Sequence, residues 1–185
     1  IIITVLNVKE AAKVSNKTNS VKDMVSALVR NDQALIVVVA IIVFNASLYL
    51  TQQLALYFFK FDIGHENYYS IFAAVGGAIQ LIAMSTFTVL RKKFSRIQIF
   101  TGAVASSFFG YMCMFLLSCI GITHIVALLI AAAFIFFGFG LVTVLTTIFL
   151  SDTVDYGEYK NGRRDESVVF SLQTFVVKLA SAISG

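Results

Sequence analysis

From position 34 onward the chain alternates long apolar stretches with short polar ones. The apolar runs cover Ala34 to Phe59, Tyr69 to Leu90, Ile97 to Gly121, Ile125 to Ser151 and Ser167 onward. Each approaches or exceeds the ~20 residues an α-helix needs to cross a ~30 Å hydrocarbon core, the last being cut short. The pattern predicts an all-α polytopic membrane protein whose transmembrane part occupies residues 34–185. Residues 1–33 differ, holding Lys9, Lys13, Lys17, Lys22 and Arg30 among Ser, Asn and Thr. They read as a basic connecting loop. Inside it Val21, Met24, Val25 and Leu28 recur at helical spacing, which predicts a short amphipathic helix along the membrane surface or against the body of the protein.

Composition agrees with this class. Hydrophobic residues make up 58% of the chain and mean hydropathy is +0.87, against about 45–50% apolar residues in soluble domains. The chain opens IIITVLNVKE, without a basic leader region, and reaches Gly185 inside an apolar run. It is therefore expected to be a fragment open at both ends.

The basic residues fix an orientation. Besides the five in residues 1–33, Arg91, Lys92, Lys93 and Arg96 fill the turn 91–96, and Lys160, Arg163 and Arg164 lie in the expected charged loop 152–166. These three segments fall on one side when the spans alternate. The opposite turns hold only Lys60, so the positive-inside rule puts loops 1–33, 91–96 and 152–166 in the cytoplasm of a multi-pass cell-membrane protein. Topology thus accounts for the net charge of +4, and nucleic acid is not expected as a partner. Cys113 and Cys119 are expected to be buried thiols, and His65 and His124 stand alone in turns. No metal site, cofactor or enzyme motif is expected from this set.

Polar residues inside apolar spans carry more weight, because hydrocarbon offers them no water. Asn45, Thr51, Gln52 and Gln53 interrupt the first span and Gln80 the second. Interhelical hydrogen bonding is their simplest role. Small residues at Gly76-Gly77-Ala78, Gly102 to Ser106 and Gly138-Phe139-Gly140 predict close helix approach. With no proline in the chain, any bend is expected at these glycines.

The densest chemistry lies in SDTVDYGEYKNGRRDESVVFSLQTFVVK, residues 151–178. Asp152, Asp155 and Glu158 sit three apart near the C-terminal end of a helix, where carboxylates oppose the helix dipole and each other. Cations are expected nearby, and Lys160, Arg163 and Arg164 are the local candidates. On the following helix Phe170, Gln173, Thr174, Val177, Lys178 and Ser181 share one face. Lys178 lies about 18 Å along that helix from Glu166 at ~1.5 Å per residue, too deep to snorkel easily. No Asp or Glu lies inside any span, so a counter-charge must come from elsewhere, and a polar transport pathway is favoured over a purely structural pair.

Three groups of residues resemble a known family. The run Asp152-Thr153-Val154-Asp155-Tyr156-Gly157-Glu158-Tyr159-Lys160 with Gly162, Arg164 and Glu166, and the helix Ser171 to Lys178, resemble the melibiose-permease-like glycoside–pentoside–hexuronide:cation symporters. So do Asn31-Asp32-Gln33 before the first span and Leu54 to Lys60 at its end. The resemblance implies a major-facilitator-superfamily fold, with this chain supplying helices seven to eleven of twelve and the central loop. It implies sugar:cation symport (Na⁺ or H⁺) by alternating access. Sugar contacts would fall at Gln173, Thr174, Val177 and Lys178, and a cytoplasmic ion-pair gate at Asp152, Asp155, Glu158, Arg164 and Glu166. The cation-binding carboxylates would belong to a missing amino-terminal half, the chain's main partner besides sugar and lipid. A tryptophan found near the sugar on the tenth helix of the melibiose permease has no counterpart, Thr143 standing near that position. A passive channel or structural membrane subunit without ion coupling is the alternative.

Overall fold

The computed structural model describes residues 31–161 and 166–184. The amphipathic helix expected around Val21 to Leu28, and Arg163 and Arg164, lie outside the described residues. Five helices follow one another: α1 (Asp32–Tyr57), α2 (Tyr68–Leu90), α3 (Arg96–Ile120), α4 (Ile125–Asn161) and α5 (Glu166–Ser184). Helices α1 to α4 are long and apolar enough to cross a membrane, which makes this a multi-pass membrane protein. The helix α5, of 19 residues, is shorter.

Local chemistry sets the ends. Asn31 caps α1 by accepting from the Ala34 amide at 3.0 Å, and Ser95 and Gln98 form a reciprocal capping box at α3. Gly121 closes α3 at φ 77°, a conformation that costs a residue with a Cβ. The end of α1 departs from expectation: it widens into a π-helical turn over Phe58–Asp62, a segment without glycine.

The bundle is built on α4, which packs against α1, α2 and α3, while α5 lies against α1. Buried residues surround α4 on several faces, among them Leu128, Ala132, Ile135, Phe139, Leu145 and Leu150. A helix apolar all round belongs at the centre of such a bundle. Aromatic edges tie it to its neighbours, with ring centroids 5.2 Å apart for Phe72–Phe136 and 5.6 Å for Phe44–Phe139. Small residues allow the approach. A Cβ on Gly140 would lie 2.5 Å from the Gln80 carbonyl oxygen, and one on Gly138 would collide with Ser107 and the Ala103 carbonyl. Gly77 and Gly102, expected to act alike, instead face open space. The thiols differ from expectation too: Cys113 is half-buried and Cys119 exposed, both free.

Candidate functional site

The segment expected to be a loop from Asp152 is helical as far as Asn161. Charge density suggested a loop, but Leu150, Thr153, Val154 and Gly157 keep the helical period, and all four are buried. At 37 residues and ~1.5 Å per residue, α4 is about 55 Å long, well beyond a ~30 Å hydrocarbon core.

The buried stripe of this extension meets the start of α1. Asn31 is 4% exposed, and while its Oδ1 caps α1, its Nδ2 donates to the Thr153 carbonyl at 2.8 Å. Gly157 makes room, since a Cβ there would lie 2.7 Å from Asn31 Nδ2. One turn on, Lys160 donates to Asp32 at 2.7 Å and Tyr156 donates to the same oxygen at 3.3 Å. On another side of α4, Arg96 at the start of α3 pairs with Asp152. The basic turn and the charged motif therefore meet at one end of the bundle.

Of the carboxylates expected to form a gate, Asp152 finds its cation on α3 rather than in its own segment. Asp155 and Glu158 are exposed on the extension, and Glu166 is exposed in the first turn of α5. Arg164 lies outside the described residues. Sequence reasoning missed Asn31, Asp32, Arg96 and Gly157 as members of this cluster. The spacing of Thr153, Tyr156, Gly157 and Lys160, at i, i+3, i+4 and i+7, carried the signal.

The polar face expected on α5 is split. Val169, Val176 and Ala180 are buried, and Phe170 and Val177 pack beside them on Val38, Ile41, Leu150 and Val154. Val177 thus turns largely into the α1–α4–α5 core, and Gln173 is half-buried. Thr174, Lys178 and Ser181 are exposed on the other side. The Thr174 hydroxyl donates to its own helix at Phe170 O, 3.2 Å away, as Thr143 does at Phe139 O, 2.8 Å. No ion pair to Lys178 occurs among the described residues.

Intramembrane polar groups elsewhere also divide. Asn45 bonds to Ile41 O at 2.8 Å within α1, and Thr51 on α1 bonds Tyr111 on α3. Ser118 on α3 donates to Asp62 at the opposite end from the Asp152 cluster. Gln52 and Gln80 make none of the interhelical bonds expected of them among the described residues; they line a small cleft between α1 and α2.

Residues 1–185 match the model of a family described as MFS/sugar transport protein. The chain belongs to that family. Its members are transport proteins, and the glycoside–pentoside–hexuronide resemblance of the charged motif agrees with the relatives found. The chain is 30% identical over 182 residues to a lactose permease of Lactobacillus delbrueckii subsp. bulgaricus, covering 96% of this chain and 28% of that protein. A raffinose carrier protein of Pediococcus pentosaceus is 30% identical over 167 residues, 90% of this chain and 25% of the carrier. An isoprimeverose transporter of Lactiplantibacillus pentosus is 25% identical over 185 residues, 99% of this chain and 38% of the transporter. The family's chain thus spans only about a quarter to two-fifths of these relatives.

Proposed function

We propose that this chain is the membrane-embedded carboxy-terminal part of a secondary active transporter that carries a glycoside or oligosaccharide together with Na⁺ or H⁺ by alternating access. The observation that supports it best is Lys178. It is exposed on an apolar helix, without an ion pair among the described residues, in a member of a sugar transport family. A charge at membrane depth needs a cavity or a counter-charge, so a second half carrying carboxylates would face it. Thr174 and Gln173 beside it offer hydrogen bonds to sugar hydroxyls, and Lys178 would balance occupancy of the cation site. The end bearing Arg96–Asp152 and Asp32–Lys160 would face the cytoplasm, as the basic loops require. There the ion pairs would join Asp155, Glu158, Arg164 and Glu166 in a gate that holds one access state. The cation's differential affinity for the two states drives the cycle.

The test uses the protein expressed from its complete gene, in energy-depleted vesicles. Lactose, raffinose and methyl β-galactoside are added while external pH and Na⁺ are followed, for wild type and Lys178→Gln. Sugar-dependent ion uptake that the substitution uncouples supports symport and the role of Lys178. Ion leak without sugar, or sugar equilibration without ion movement, replaces it with a channel or facilitator.

A further inference from the structure

The cleft that takes Gln52 and Gln80 has a volume of about 230 Å³ and lies between α1 and α2. These two helices touch only sparingly, and Phe136 of α4 with Phe72 of α2 close its back. Tyr69 completes the polar rim, and Gly77 leaves one wall bare. None of the three polar side chains has a hydrogen-bond partner among the described residues.

Depth makes this notable. Gln80 lies about 18 Å along α2 from Tyr68, and Gln52 about 15 Å from Asp62 at the end of the π-helical turn, at ~1.5 Å per residue. Both are near the middle of a ~30 Å hydrocarbon core, and with Gln52 exposed and Gln80 half-buried they open onto the cleft, where polar groups at such depth point to function. No charged group lines the cleft, so the ligand is neutral. Two amides, each with a donor and an acceptor, and a phenol on the rim suit hydroxyl groups. The aromatic back suits the carbon–hydrogen face of a ring. The cleft is smaller than the ~300–1,000 Å³ pockets of drug-sized ligands, which suits a single ring.

We propose that Gln52, Tyr69 and Gln80, over Phe72 and Phe136, form a binding subsite for one neutral monosaccharide unit, separate from the polar face of α5. This rests on the sugar-transport reading above. Gly77 allows a test that spares the fold, because a Cβ there meets no protein atom within 4 Å.

Isothermal titration on the detergent-purified protein expressed from its complete gene, with lactose, raffinose and methyl β-galactoside as probes, compares wild type with Gly77→Val, Gln80→Leu and Gly102→Val. Gly102 also faces open space, but on α3, and its variant serves as the control. For the sugar that wild type binds, Gly77→Val weakens affinity at least about tenfold and Gln80→Leu about fivefold, with Gly102→Val unchanged. Unchanged affinity in Gly77→Val and Gln80→Leu overturns the subsite and leaves the sugar reading standing. Failure of wild type to bind any of the three overturns both. Should Gly77→Val lower the melting midpoint as well, Gly77→Ala decides: weakened binding at an unchanged midpoint supports the subsite, and wild-type binding overturns it.

Discussion

The contact between Asn31 and Gly157 predicts a substitution whose effect changes sign with its background. Asn31 uses both ends of its amide, capping α1 and bonding the Thr153 carbonyl. Replacing it with Ala removes a cap worth about 1 kcal/mol and a buried hydrogen bond worth about 1 kcal/mol, so Asn31→Ala costs about 2 kcal/mol. Gly157→Ala on its own gains about 1 kcal/mol of helix propensity. Its Cβ, however, would lie 2.7 Å from Asn31 Nδ2, which displaces the amide and forfeits most of the same ~2 kcal/mol. The net result is a loss of about 1 kcal/mol. In the Asn31→Ala background nothing remains to displace, so Gly157→Ala becomes stabilising by about 1 kcal/mol. The coupling is thus about 2 kcal/mol, well above the few tenths expected of independent sites. Melting midpoints of the four purified proteins in one detergent check it. A Gly157→Ala shift of the same sign and size in both backgrounds would refute the contact as the reason for glycine.

Three other outcomes follow from the packing and the ion pairs. Gly138→Ala places a Cβ against the Ala103 backbone carbonyl and is expected to cost about 1–3 kcal/mol, whereas Gly102→Ala, facing open space, leaves the midpoint equal or higher. Because the Arg96–Asp152 side chains are 41% and 50% exposed, reversing either charge changes stability by under about 1 kcal/mol. In vesicle transport assays each reversal impairs uptake and Arg96→Asp with Asp152→Arg together restores it, more fully at low salt. Tyr111→Phe removes the bond to Thr51 between α3 and α1 and lowers stability by about 0.6 kcal/mol, typical of such bonds in membranes; Thr51→Val added to it produces no further loss of that bond.

The spans were legible because membrane thickness acts on length alone. Expected starts at Ala34, Tyr69, Ile97 and Ile125 lie within two residues of the observed ones. The charged motif was harder. Asp152, Asp155 and Glu158 dominate its composition, but a buried stripe of Leu150, Thr153, Val154 and Gly157 decides its conformation. Its partners could not be read locally, since Arg96 lies 56 residues from Asp152 and Asp32 lies 128 from Lys160. Tertiary packing of the helices brings them together. On α5 the wheel grouped Val177 with Lys178, and the positions of α1 and α4 divide that face into a packed and an open side. The π-helical turn at Phe58–Asp62 left no mark in the sequence, having neither glycine nor proline.

A rod of about 55 Å gripped along its middle behaves as a pointer. The helix α4 is held between α1, α2 and α3, and its last ten residues carry the Asn31, Asp32 and Arg96 contacts. A tilt of about 5° about that middle, roughly 28 Å from the tip, would move the tip by about 2.4 Å, enough to carry a hydrogen bond there out of range. Motions too slight to unpack the middle of the bundle would therefore be read out at the tip as contacts made or lost.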